Sequence, residues 1–124
     1  MTIGSQPIPP GPKRGEIYRF DLRDVGGHVI SGPHYAVIVQ TNELTRSSTT
    51  LVAPITSNAA SAHLKPEYLV PVSARDISLG WGGYIHADQI FTLPSAEAGQ
   101  RIGLLPAVRV EELDQALAFV LGLA

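Results

Sequence analysis

The sequence predicts a mainly β domain, a small barrel of short strands with one C-terminal helix packed against it. Two apolar runs, Tyr35–Val39 and Thr50–Ala53, are short, rich in β-branched residues and ended by polar ones, as strands buried on both faces are. Further strand candidates follow at roughly the 8 to 12 residue spacing of small barrels, and no parallel βαβ repeat lies among them. Beyond Pro106, residues Val110, Leu113, Leu117, Val120 and Leu121 fall on one stripe at helical spacing, opposite polar positions such as Glu112 and Gln115. A chain of 124 residues suits one domain around one core.

Taken in order, residues 1–13 form a flexible tail: Pro, Gly, Ser and Gln dominate and favour extended backbone over any regular element. The folded domain is expected over residues 14–124. Ile17, Phe20 and Leu22 interleaved with Tyr18, Arg19 and Asp21 suggest a first strand with one wet face. Asp24 to Pro33 is a loop carrying Gly26, Gly27, His28 and Gly32. In the second central run a proline, Pro54, withholds one ladder donor before the hydroxyls of Thr56 and Ser57. Ala59 to Pro66, with a solvated His63, reads as a surface connection. Glu67–Val72 reads as an edge strand in which Pro71 is tolerated. Ser73 to Gly83 turns the chain, and Trp81, set among glycines, is either a packing anchor or a stacking surface. Tyr84–Ile90 alternates so that Tyr84, His86, Asp88 and Ile90 share one face, which puts an imidazole beside a carboxylate. Arg101–Leu105 is a last short strand. Pro106 suits the first turn of the helix, and Glu111, Glu112 and Asp114 lie near its positive end.

Nine Lys and Arg against eleven Asp and Glu give a net charge of −2, so any nucleic-acid site must be local. With no cysteine the chain can form neither disulfides nor thiolate metal sites, and it suits a reducing compartment, the cytoplasm. No apolar run approaches the ~20 residues of a membrane span, and no membrane partner is expected.

Arg14-Gly15-Glu16-Ile17-Tyr18, Gly27-His28 to Gly32, Val37-Ile38-Val39-Gln40, Val52 to Ser57, Asp88-Gln89-Ile90 and Arg101-Ile102-Gly103 together resemble the MazF/PemK toxin family. The likeness runs from about Arg14 to Leu123. It implies an SH3-like barrel of the MazF/CcdB kind, a homodimer that cleaves single-stranded RNA sequence-specifically without metal or other cofactor. It also implies a cognate antitoxin whose extended segment covers the RNA groove. In that chemistry the 2′-hydroxyl attacks the adjacent phosphate, leaving 2′,3′-cyclic phosphate and 5′-hydroxyl ends.

Thr56 falls on the family's catalytic threonine. The family's catalytic arginine is replaced here by His34, its acidic loop residue by Val29, and its late-strand arginine by Phe91. An arginine is permanently charged, whereas a histidine exchanges protons near neutral pH, as general acids and bases must. His86 and Asp88 stand at the spacing of an arginine and aspartate that some relatives use. The expected catalytic set is therefore His34, Thr56, His86 and Asp88. The expected RNA contacts are Arg14, Arg19, Arg23, His28, Arg46, Ser57 and Gln89, with no metal ligands. Two alternatives stand beside the nuclease: a non-catalytic barrel that binds a protein target, as the related CcdB toxins bind DNA gyrase, and a degenerate toxin that binds only its antitoxin.

Overall fold

A computed structural model describes residues 11–124; most of the expected tail lies outside the described residues. Gly11 and Pro12 are fastened to the body. Gly11 N–H donates to the Thr45 carbonyl (2.6 Å), and the Thr45 hydroxyl donates to the carbonyls of both residues (3.0 and 3.2 Å).

Seven antiparallel strands form one curled sheet: β1 Glu16–Leu22, β2 Gly32–Ile38, β3 Thr49–Thr56, β4 Leu69–Val72, β5 Gly83–His86, β6 Phe91–Pro94 and β7 Gly103–Leu104. Two helices accompany them, α1 Ala74–Ile77 and α2 Ala107–Val120. The hydrogen-bonded path runs β4-β5-β3-β2-β1-β7, with β6 added to β3. The mainly β class and the C-terminal helix are as the sequence predicts, and β4, with Pro71 exposed, is an edge strand.

The middle of the sheet is apolar on both faces. On one face Ile17, Val37, Ala53, Ile55 and Ile85 join Leu113, Ala116 and Leu117 of α2 and Ile77 of α1. On the other, Tyr18, Phe20, Leu22, Ala36, Ile38, Val52 and Leu93 form a second cluster. Alternating residues of β2 thus enter different cores, which is why Ala36, Val37 and Ile38 are all fully buried. On β1 only Arg19 and Asp21 remain wet.

β3 pairs with β2 on one side over Val52–Ile55. On its other side it pairs with β6 over Thr49–Val52 and then with β5 at Ile55 and Thr56. Pro54 falls in the gap between those partners, so its missing N–H coincides with a ladder already interrupted. Opposite that gap residues 86–90 face only residues 53–54, a bulge that swings the chain outward.

The bulge corrects the expected strand over Tyr84–Ile90. Regular pairing stops at His86, Asp88 lies exposed in a turn off the His86 face, and a further strand, β6, begins at Phe91. The helix also departs from expectation at both ends. Pro106 is its N-cap, and α2 starts at Ala107, so Glu111 and Glu112 fall in the second turn, past the reach of the helix dipole. At the far end Gly122 takes φ +71°, the helix stops at Val120, and Leu121 is exposed rather than part of the buried stripe.

Gly83 fixes the distance between β5 and the end of β3. A Cβ there would stand 1.9 Å from the Thr56 carbonyl oxygen and 2.8 Å from its carbon, backbone atoms that cannot rotate away. Gly83→Ala should therefore lose about 1–3 kcal/mol of stability. Gly80→Ala, facing open space, should stay within about 0.5 kcal/mol of wild type. Urea unfolding of both variants checks this, and an unperturbed Gly83→Ala would mean the strands can spread.

Candidate active site

The candidate site lies where β2 begins and β3 ends. The register Tyr35↔Ile55, continued one step outward, sets His34 beside Thr56 on the sheet face away from α2. On the other side of β3, Thr56 pairs with Tyr84, so His86, two residues further along β5, shares that face.

The Thr56 hydroxyl lies 2.7 Å from the Asn58 carbonyl and 2.8 Å from His86 Nε2. It has one proton to give, and a carbonyl can only accept, so that proton goes to Asn58 and His86 Nε2–H donates to Thr56 Oγ1. His86 is then the Nε2–H tautomer. Burial pushes its pKa below the ordinary value, the Asp88 carboxylate pulls it up, and His34 pushes it down again, with burial the largest effect. Nε2–H is present in the neutral Nε2–H tautomer and in the protonated ring alike, and burial favours the neutral one.

His34 has the opposite arrangement. Its Nδ1 lies 3.3 Å from the Gly32 carbonyl. The hydrogen of the neutral ring therefore belongs on Nδ1, and Nε2 is left as a free acceptor.

His34 and Thr56 line a cleft of about 340 Å³ together with Ser57 and Asn58. Arg19, Tyr35 and Trp81 border the same cleft. The Arg19 guanidinium lies 5.5 Å from the centre of the Tyr35 ring. Of the expected site residues, His34, Thr56, Ser57 and Arg19 thus meet at one place, with His86 directly behind Thr56.

The others are elsewhere or otherwise engaged. Asp88 acts on His86 only through its charge. Arg14 donates from Nε to the Val39 carbonyl (3.1 Å) and pairs with Asp114 of α2 (2.5 Å), so it ties the helix to the sheet instead of lining the cleft. Arg46 sits in the loop before β3, a strand length away from Thr56, on the order of 20 Å. Arg23 and His28 are exposed in the β1–β2 loop. Gln89 pins that loop. Its Oε1 accepts from Ile30 N–H (2.7 Å), and its Nε2 donates to the His28 carbonyl (3.4 Å). Tyr35 and Asn58 are cleft residues that sequence reasoning missed, because one reads as core and the other as a loop end. Among the described residues no three His, Asp or Glu side chains gather as a metal ion would need.

The depressed His86 pKa has a thermodynamic consequence with a definite sign. Below the ordinary value of 6.5 the unfolded chain binds a proton that the folded one resists. Stability is therefore full above about pH 6.5 and falls as the pH drops through the window down to the folded pKa. Wild type should lose more stability between pH 7 and pH 5 than His86→Gln does. In ¹⁵N-edited NMR, His86 should be the Nε2–H tautomer at pH 7 and titrate below 6.5. A midpoint at or above that value would mean that burial does not govern the ring.

A sequence model described as PemK-like, MazF-like toxin of type II toxin-antitoxin system matches residues 13–121. The chain is 29% identical over 117 residues to Endoribonuclease MazF9 of Mycobacterium tuberculosis (strain ATCC 25618 / H37Rv), covering 90% of this chain and 97% of that one. Among solved structures it resembles an endoribonuclease in complex with its cognate antitoxin from Mycobacterial species, with a TM-score of 0.73, 28% identity and coverage of 91% of this chain and 97% of that one. MazF from Deinococcus radiodurans shares the fold at TM-score 0.74 with 20% identity, over 90% of this chain and 97% of the other. With that model matched over residues 13–121 and the fold shared with these structures, the chain belongs to the PemK-like, MazF-like toxins of type II toxin-antitoxin systems.

Proposed function

We propose that this toxin is a metal-independent, sequence-specific endoribonuclease that cleaves single-stranded RNA, with His34 and Thr56 as its catalytic residues. What supports the reading is that His34 and Thr56, at the adjoining ends of β2 and β3, border one cleft, with a carbonyl 3.3 Å from His34 Nδ1 that leaves Nε2 as the ring's open nitrogen.

His34 Nε2 takes the proton of the 2′-hydroxyl as its oxygen attacks the adjacent phosphorus. The O2′–P bond forms, the P–O5′ bond breaks, and water in the cleft protonates the departing 5′-oxygen. Thr56 turns its hydroxyl proton from the Asn58 carbonyl to a non-bridging phosphate oxygen. There it stabilises charge that grows in the transition state. His86 keeps donating to Thr56 Oγ1 during that turn. It is a positioning residue, not one that touches RNA. Arg19 supplies the fixed positive charge at the cleft wall, and Ser57 a further polar contact.

The protein works in the cytoplasm as a homodimer and is silenced by a cognate antitoxin whose acidic, apolar segment competes with RNA for the cleft. Exposed Phe119, Leu121 and Leu123 at the end of α2 support the dimer, since they have room for a partner copy. Sedimentation at micromolar concentration should give a species of twice 13.2 kDa; a monomer alone would exclude the dimer.

Purified protein in EDTA should cut mixed RNA to 2′,3′-cyclic phosphate and 5′-hydroxyl ends. His34→Ala should lose about 10²–10⁴ in kcat, and Thr56→Ala should lose kcat to a comparable degree. His34→Arg should retain some cleavage, because a guanidinium there brings a permanent charge to the scissile phosphate. No cleavage by wild type would leave the gyrase-binding or antitoxin-only alternatives; full activity in His34→Ala would make that histidine a bystander.

A further inference from the structure

We propose that Trp81 and Tyr35 form a stacking subsite that holds one unpaired nucleobase of the RNA beside the scissile phosphate; this rests on the endoribonuclease reading above. The rings line the same cleft as Thr56 and His34. Their centroids are 6.1 Å apart and their planes meet at 52°, so they make an open angle and do not cover each other face to face. Both rings border the helix-side core yet stay half-buried, while Ile55, Ile77 and Ile85 beside them fill that core completely. Packing alone does not account for two large aromatic rings at the mouth of a polar cleft.

The subsite is also tied to the reacting centre. Gly82 and Gly83, which follow Trp81, lie so close to neighbouring backbone that a Cβ would stand 2.8 Å from the Val72 carbonyl oxygen and 1.9 Å from that of Thr56. The tryptophan is thus carried on backbone pressed against the catalytic strand end. Its position relative to Thr56 is set before RNA arrives, which lowers the ordering cost of binding. Arg19, whose guanidinium lies 5.5 Å from the centre of the Tyr35 ring, is placed to meet the phosphate of the stacked nucleotide. A cleft of about 340 Å³ is at the small end of ligand sites, a size for one nucleotide and not for a paired duplex. Stacking itself tolerates any base. Preference among bases then falls to the polar groups at the cleft edge, Ser57 and Asn58.

Trp81 is the only tryptophan in the chain, so its fluorescence reports the subsite directly. Titration of the full-length protein with a single-stranded oligodeoxynucleotide, which lacks the attacking 2′-hydroxyl, should give saturable quenching that tracks binding measured by the anisotropy of a labelled strand. On RNA, Trp81→Leu and Tyr35→Leu should each raise KM about 5- to 150-fold with little change in kcat, and Trp81→Phe should recover most of the loss. Thermal unfolding of each variant verifies that it is folded. Binding without quenching, or a wild-type KM in Trp81→Leu, would overturn the subsite. Cleavage of RNA without quenching removes the subsite and keeps the nuclease, while quenching without cleavage keeps the subsite and removes the nuclease.

Discussion

The site depends on the way β3 changes partners. One strand has β2 along one side and two successive strands, β6 and β5, along the other. Where the partners change, residues 53–54 face the bulge at residues 86–90, and the same change delivers Thr56 to β5 instead of to solvent. The contact between Gly83 and the Thr56 carbonyl then brings the two strands as near as a residue without Cβ allows. The 2.8 Å bond from His86 to Thr56 follows from that spacing. Were β3 paired with one unbroken strand, no bulge would form there, and Asp88 would stand on the same face as His86. Because the bulge takes the carboxylate out into water, burial decides the state of the imidazole and keeps it neutral.

Of the nine Lys and Arg side chains, three are held in ion pairs among the described residues. Arg14 joins α2 to Val39 just past β2, Arg109 joins Asp76 of α1 at 2.9 Å and Glu112 at 2.7 Å, and Arg101 reaches Glu16 at 3.4 Å. Those guanidiniums fasten the helices and the last strand to the sheet, and they leave Arg19 as the cation lining the cleft. Two histidines stand near it in different settings: the Gly32 carbonyl lies 3.3 Å from Nδ1 of His34, and the Thr56 hydroxyl, which also reaches the Asn58 carbonyl, lies 2.8 Å from Nε2 of His86.

Much of the frame was legible in the sequence because it follows from periodicity. Tyr35–Val39, Thr50–Ala53 and the α2 stripe each carry one strong pattern, and each forms the element that pattern implies. What escaped lacked a period. α1 is a single turn, too short to show one, although Ser73 and Asp76 do make the capping box that their spacing permits. The bulge was illegible because Tyr84–Ile90 alternates perfectly well as a strand; only the register imposed by β3 shows that five residues cannot fit opposite two. The motifs located Thr56 and His34 but could not tell which polar groups face RNA and which hold the fold. Arg14 and Gln89 sit inside family motifs and are spent on α2 and the β1–β2 loop.

That division of labour explains how a cleft of this kind can change its chemistry on a constant frame. The fully buried residues Ile17, Val37, Val52, Ile55 and Ile85 touch several elements at once, and a change in any of them is felt throughout the sheet. His34, Tyr35 and Trp81 are only half-buried, and Tyr35 and Trp81 touch the core from its border without filling it. Selection on the RNA that is cut can therefore act on those positions with little penalty in folding. The glycines are the exception. Gly82 and Gly83 face backbone on two strands, so the segment that presents Trp81 is fixed even where the ring it presents is free to vary.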